Sequence, residues 1–271
     1  MTDNDTPFDM SGFYTRFYQA IAASPANAEY CRRLYGKNLG QQGFAEMSHI
    51  EHLAQVAGLV AGCRALDLGC GNGLIAEYLA GQTGASITGI DFIPEAIRQA
   101  NTRRAQLPAA LGERLRFEVM DMAELRFAPA SFDVVIAIDT LYFTPLEPTL
   151  RQIFQLLRPG GRLVTFWSQS CEPWKSLETF DRSSTRPENT DLARAATALG
   201  LAFECWDYTQ PDGDHARRKR QIATEMQASF AAEGNAFLLE GYLGEAGGVL
   251  NAIENRAHGR YLYRLTQIME K

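Results

Sequence analysis

The chain has 271 residues, 46% hydrophobic and 10% aromatic, with a formal net charge of −6. That is enough to bury a full core, as one large domain or as a core with an appended cap, while the acidic balance excludes a nucleic-acid substrate, because phosphate binding rests on clustered positive charge. No apolar run approaches the roughly 20 residues that span a bilayer, Met1 to Asp5 is polar rather than a basic leader, and Cys31, Cys63, Cys70, Cys171 and Cys205 form no short pair, so a cytoplasmic chain without membrane partner, disulfide framework or zinc ribbon is expected.

Residues 8 to 58 read as helices. Phe8, Phe13, Phe17, Tyr18 and Ile21 give one apolar face, Tyr30, Leu34 and Tyr35 a second that stops at Gly36, and Met47, Ile50, Leu53 and Val56 a third. His49 and His52 lie three apart on the last helix, but no third ligand stands nearby and no metal is expected.

The run from Ala65 to Ala76 is a buried strand that breaks into a glycine turn and opens a helix. Apolar residues up to Leu68 suit a strand covered on both faces, and Gly69, Gly71 and Gly73 remove the Cβ atoms that would hold a ligand off the backbone. A dinucleotide fingerprint wants a small residue three positions after its second glycine; here Leu74 stands there. Asp67 would also repel a pyrophosphate, so the ligand reads as cationic or zwitterionic. Ala85 to Ile90 is a second strand ending in Asp91-Phe92, placed where an acid takes both hydroxyls of a ribose. Leu115 to Met120 ends in Asp121-Met122, and Phe132 to Ile138 ends in Asp139. Helices Pro94 to Gln106 and Pro145 to Leu157 alternate with these strands, each with proline in its first turn. Leu156 to Val164, with Pro159, Gly160 and Gly161, turns into a fifth strand, Arg162 to Trp167.

From about residue 60 to 168 these elements, in this order, resemble the class I S-adenosylmethionine-dependent methyltransferases, and the Asp67 to Gly73 turn resembles their motif I. The resemblance implies a doubly wound, Rossmann-like α/β fold: a seven-stranded, mostly parallel sheet whose last strand is antiparallel. It implies a helical N-terminal cap over residues 1–58, a core over 59–271, and lid insertions at 168–186 and 210–257. It also implies S-adenosylmethionine as donor and S-adenosylhomocysteine as product. Asp67, Gly69, Cys70, Gly71 and Gly73 would then hold the methionine moiety, Asp91 the ribose and Asp121 the adenine amino group, with Phe92, Met122 and Ile138 as further donor contacts.

Beyond the fifth strand come a long polar stretch with Trp174, a helix over Pro187 to Leu199, a strand over Leu201 to Tyr208, helices over Asp214 to Glu233 and Ala236 to Asn255, and a closing strand from Arg260 to Ile268. Arg217-Arg218-Lys219-Arg220 reads as a solvated helix face balanced by Glu225 and Glu233. Ligands of open α/β sheets bind outside the carboxyl ends of the strands, so the segments leaving those ends wall the acceptor pocket. Tyr18, Tyr142, Trp167, Trp174, Tyr242 and Arg260 are the expected acceptor contacts, with Tyr14, Tyr35, Tyr208 and Tyr261 as further aromatic candidates. Asp139, Tyr142 and His258 are placed to take a proton, the first two as the expected catalytic pair. A small-molecule acceptor is expected, amine slightly ahead of hydroxyl because Asp139, Glu233, Glu240 and Glu245 lie near; a homodimer is left open. A nicotinamide-dependent oxidoreductase and a catalytically inactive donor-binding protein are the alternatives.

Overall fold

A computed structural model describes residues 9–171 and 175–268. In chain order the elements are α1 (Met10–Ala23), α2 (Pro25–Tyr35), α3 (Met47–Ala57), β1 (Arg64–Leu68), α4 (Leu74–Thr83), β2 (Ser86–Asp91), α5 (Pro94–Arg104), α6 (Ala109–Gly112), β3 (Leu115–Val119), β4 (Phe132–Ile138), α7 (Leu146–Leu156), β5 (Leu157–Ser170), α8 (Asp191–Ala198), β6 (Leu201–Asp207), α9 (Thr209–Glu225), α10 (Gln227–Ala232), α11 (Ala236–Glu254) and β7 (His258–Gln267). The seven strands form one sheet in the order β3-β2-β1-β4-β5-β7-β6. β7 runs antiparallel to β5 and β6, and the remaining pairings are parallel.

Alternate side chains of β4 face opposite layers, as the two-residue period of a strand dictates. Val134 and Ile136 pack with Ile50 and Leu53 of α3, Leu79 of α4 and Ile97 of α5. Val135 and Ala137 pack with Leu150 and Ile153 of α7 and Leu192 and Ala196 of α8. This is the doubly wound arrangement, with helices on both faces of a central sheet. α3, expected to belong to the cap, is thus part of a sheet layer: its Ile50, Leu53, Ala54 and Ala57 stripe is buried against the strands.

A third apolar cluster joins Phe17, Tyr30 and Leu34 of α1 and α2 to Ile222, Phe230, Leu238 and Tyr242 of α9, α10 and α11. The N-terminal helices and the insertion after β6 therefore share one core, although some 200 residues separate them in sequence. The basic run on α9 serves this union. Arg218 reaches Glu46, and Lys219 is fully buried, bonded to Glu245 and to Gln42 O at 3.0 Å, with its ammonium 4.6 Å from the Phe44 ring. The expected balancing acids act elsewhere: Glu225 pairs with Arg33, while Glu233 accepts from Ser24 and from Ala26 N–H at the start of α2. Helix boundaries differ from the expected ones at α8, α9 and α10. α8 starts at Asp191 because Thr190 accepts Ala193 N–H, and the preceding Pro187–Asn189 forms a 3-10 turn. α9 starts at Thr209 rather than Asp214, and the helix breaks at Met226 before α10.

Tyr242, expected to touch the acceptor, is a core residue. It is 2% exposed, stacks on Tyr30 with ring centroids 4.3 Å apart, and donates from its hydroxyl to Asn27 Oδ1 at 2.6 Å. Tyr242→Ala is expected to destabilise the chain by about 3–5 kcal/mol in denaturant melts, and Tyr242→Phe by only about 1 kcal/mol, the net worth of one hydrogen bond.

Candidate active site

The parallel strands β1, β2, β4 and β5 end at one edge of the sheet, and antiparallel β7 begins there. Their exits, α1, the 39–45 loop and the helices above enclose a cavity of about 860 Å³.

On its donor side lies the glycine turn. Gly69 and Cys70 N–H both donate to Ile90 O at 2.9 Å, anchoring the turn to β2. Gly69 and Gly71 have φ of 71° and 55°, and both are closely covered. A Cβ on Gly69 would stand 2.5 Å from Thr140 Cγ2, and one on Gly71 2.7 Å from the Tyr18 hydroxyl. Asp91 Oδ2 accepts Gly71 N–H and Oδ1 accepts Ile93 N–H, each at 2.9 Å. The carboxylate expected to take the ribose hydroxyls thus also fixes the turn, and it lines the cavity with acceptor capacity left on each oxygen. Asp67 is 3% exposed, lines the same cavity, and receives no hydrogen bond among the described residues. Burial, and then the charge of Asp91, push its carboxyl up to about 7. A buried acid without a partner fits a ligand that brings positive charge, and fits a pyrophosphate poorly. Cys70, Phe92, Met122 and Ile138 complete this side.

Two expected donor contacts do not line the cavity. A Cβ on Gly73 would meet the Phe117 ring at 2.6 Å, so this glycine lets α4 start against β3 and α5. Asp121 is exposed and uses its carboxylate to accept Ala123 N–H at 2.8 Å.

The acceptor side is aromatic. Tyr14, Tyr18, Phe44, Tyr142, Phe143 and Trp167 line it. Trp167 is 5% exposed and lies 4.5 Å, centroid to centroid, from Tyr142, whose hydroxyl accepts Ser168 N–H at 2.5 Å. Burial pushes the Tyr142 phenol up, and Asp139 adds to this. Asp139 itself, in the left-handed region at φ 57°, is not free to act as a base: Arg260 Nη1 and Nη2 donate to its two oxygens at 2.7 and 2.8 Å. Arg260 also donates to Ser168 Oγ at 3.0 Å, and its Nε faces Asp212 Oδ1 at 3.3 Å. Its role here is that of a paired, buried cation, 2% exposed, rather than an open anion receptor. Tyr208 lies against His49 and bonds to His52 Nδ1, Tyr261 donates to Thr185 O, and Tyr35 donates to Gly43 O; none of the three lines the cavity. Trp174 and Phe8 lie outside the described residues.

The structure adds lining groups that the sequence did not single out, the 39–45 loop, Ser170 and Asp212, and it places Glu245 at the cavity as well. Gly43 was the available signal in the loop, since a Cβ there would meet Asp139 Oδ2 at 2.8 Å.

Residues 59–225, more than half of the chain, match the family profile described as a methyltransferase domain. The chain belongs to the class I S-adenosylmethionine-dependent methyltransferase family. It is 40% identical, over 115 residues that make up 42% of each chain, to the 27-O-demethylrifamycin SV methyltransferase of Amycolatopsis mediterranei. The match thus spans less than half the length of that relative. Among solved structures, phosphoethanolamine N-methyltransferase 2 of Haemonchus contortus superposes with a TM-score of 0.74 at 19% identity, covering 94% of this chain and 60% of that one. Geranyl diphosphate C-methyltransferase of Streptomyces coelicolor superposes with a TM-score of 0.71 at 14% identity, covering 97% and 99%. At such identities the superpositions establish the fold, and they span nitrogen and carbon acceptors while the sequence relative's name specifies an oxygen.

The ionisation of Asp67 sets a pH dependence. An acid whose folded pKa lies above its unfolded value destabilises the fold as pH rises from the unfolded to the folded pKa. Asp67→Asn is therefore expected to raise the melting temperature of the ligand-free chain at about pH 8. In the unsubstituted chain, S-adenosylhomocysteine affinity measured by calorimetry is expected to rise as pH increases through about 7, and Asp67→Asn is expected to flatten that rise. Asp91→Ala is expected to weaken that affinity by about 1.5–3 kcal/mol, and Gly71→Val to abolish measurable binding, because no side chain fits beneath Tyr18.

Proposed function

We propose that the chain transfers the methyl group of S-adenosylmethionine to a small, unphosphorylated acceptor enclosed between the strand exits, the 39–45 loop and helices α1, α9 and α11. One observation carries this reading: the charge lining the cavity. Asp67, Asp91, Asp139, Asp191, Asp212 and Glu245 line it, and among the described residues Arg260 is the only lysine or arginine that does. That guanidinium is already held by two carboxylates. A phosphate or diphosphate would enter a negative site with no free cation to receive it. The acceptors printed with the two structural neighbours, phosphomonomethylethanolamine and a geranyl thiolodiphosphate, both carry such groups. This chain shares their fold, and among the described residues its cavity presents no lysine or arginine free of a carboxylate to pair with such a group directly.

The carboxylates that favoured an amine are committed. Asp139 holds Arg260, Glu233 holds the start of α2, and Glu245 holds Lys219; Glu240 is exposed on α11 and does not line the cavity. A neutral acceptor suits what remains.

Bound at the glycine turn, S-adenosylmethionine supplies an electrophilic methyl on a sulfonium that leaves as a neutral thioether. Asp67 offers the negative charge that complements a cationic donor, and Asp91 holds the turn in shape while presenting oxygens to hydroxyls. Tyr18 and Trp167 wall the acceptor, and Tyr142 and Phe143, 40% and 48% exposed, border the opening of the site. Alignment of the two reactants in one enclosed site contributes roughly 7–11 kcal/mol to such single displacements, and a water-poor wall strengthens the electrostatics that guide it.

At about a hundred times its dissociation constant, S-adenosylhomocysteine is expected to add about 2.7 kcal/mol of stability, with no melting shift from NAD. Incubation with methyl-labelled donor is expected to label neutral acceptors and to leave phosphoethanolamine and geranyl diphosphate unlabelled. A shift with NAD and none with S-adenosylhomocysteine would overturn the donor assignment, and labelling of phosphoethanolamine or geranyl diphosphate would overturn the unphosphorylated acceptor.

A further inference from the structure

The antiparallel pairing of β5 and β7 sets Ser170, the last residue of one strand, opposite His258, the first of the other. Ser170 Oγ bonds His258 Nδ1, and His258 Nε2 lies 2.7 Å from Asp212 Oδ2 on α9. All three residues line the cavity. We propose that Ser170, His258 and Asp212 form a proton relay that takes the hydroxyl proton of the acceptor, so that the methyl group is delivered to oxygen. This rests on the chain being an S-adenosylmethionine-dependent methyltransferase.

The tautomer follows from the chemistry of the partners. An ionised carboxylate only accepts, so the bond to Asp212 places the ring proton of neutral His258 on Nε2. Nδ1 is then bare and accepts from the Ser170 hydroxyl. Asp212, 1% exposed, is kept ionised: burial works to raise its pKa, but Arg260 and His258 outweigh this and lower it. The charged groups around the imidazole are Asp212 from α9 and Arg260 from its own strand, with Asp139 beyond Arg260 and His215 near Asp212. β5 contributes the neutral Ser170.

The step balances. An acceptor O–H gives its proton to Ser170 Oγ while Ser170 passes its own proton to His258 Nδ1, forming an imidazolium beside the Asp212 carboxylate. The acceptor oxygen forms the new O–CH3 bond as the S–CH3 bond of the donor breaks, and its electron pair stays on sulfur. His258 then releases the extra proton to solvent. A purely structural link between these elements has no need of such a chain, because backbone pairing already joins β5 to β7 and the Arg260–Asp212 contact already joins β7 to α9. A buried histidine–aspartate pair is an expensive way to fill space that apolar side chains would fill as well, and half-buried Ser170 gives that pair an outlet to the cavity.

The test has two parts, both on the full chain with S-adenosylhomocysteine affinity measured first. Nitrogen-15 histidine spectra are expected to show the His258 ring, identified by its loss in His258→Gln, protonated at Nε2 and bare at Nδ1 near pH 8, with the preference lost in Asp212→Asn. Labelled methyl transfer is then compared between benzyl alcohol, which must lose a proton, and 4-nitrophenol, which is largely ionised at that pH. Ser170→Ala and His258→Gln are expected to lower the rate on the alcohol by about 10²-fold and to remove the acidic limb of its pH profile, a loss at least tenfold greater than that on the phenolate. An Nδ1-protonated ring, equal losses on both probes, or methylation of benzylamine but of neither hydroxyl probe would overturn the relay, as would failure to methylate either hydroxyl probe while S-adenosylhomocysteine binds. Failure of S-adenosylhomocysteine to bind would instead overturn the methyltransferase reading.

Discussion

The buried guanidinium of Arg260 is the point on which the two halves of the molecule depend. It rises from β7, forms a two-pronged pair with Asp139 at the end of β4, and faces Asp212 on α9. The rings of Phe166 and Phe44 lie 5.0 and 6.0 Å from its central carbon. Burial works against its charge, yet Asp139 and Asp212 raise its pKa beyond the ordinary arginine value. Removing one partner of such a pair strands a buried charge and costs about 3–5 kcal/mol in proteins generally. The arrangement therefore fixes the helical upper layer to the sheet at the edge where the parallel strands finish, and Asp139 makes its two bonds from a left-handed backbone conformation that aspartate adopts more readily than most residues.

The same cluster explains how one cavity serves two chemistries. The donor side keeps an unpartnered acid, Asp67, whose burial is unfavourable until a positive ligand arrives. The acceptor side neutralises its own charges internally, through Arg260 with Asp139 and Asp212 and through Lys219 with Glu245. Unpaired negative charge thus stands at the glycine turn, while the carboxylates near Tyr142 and Phe44 are paired with Arg260 and Lys219. Function in this family resides in such site details rather than in the fold, and the neighbours that share this fold act on differently charged acceptors.

The helical layer itself is a tertiary product. α1 and α2 carry amphipathic faces that the sequence shows plainly, but what they bury against is α9, α10 and α11, from the far end of the chain. Glu233 at the start of α2, Glu225 on Arg33, and Lys219 beneath Gln42 are contacts of this union.

The sequence by itself determined the doubly wound sheet, the glycine turn and the donor acids, because these are encoded locally: apolar runs of strand length, glycines at alternate positions, and an acid at each strand end. Asp67, Gly69, Gly71 and Asp91 stand at the cavity for that reason. Gly73 and Asp121 carried the same local signal, yet the first faces Phe117 and the second faces solvent, since motif position does not specify which way a residue points. Tyr242 looked like an acceptor contact because its segment follows a strand exit; the side of α11 that packs on Tyr30 decided otherwise. The pairing of Asp139 with Arg260 and the chain from Ser170 through His258 to Asp212 were legible nowhere in the linear order. They exist because β7 inserts antiparallel between β5 and β6, which brings its first residues to the edge where the parallel strands finish, and only a register between distant strands creates that meeting.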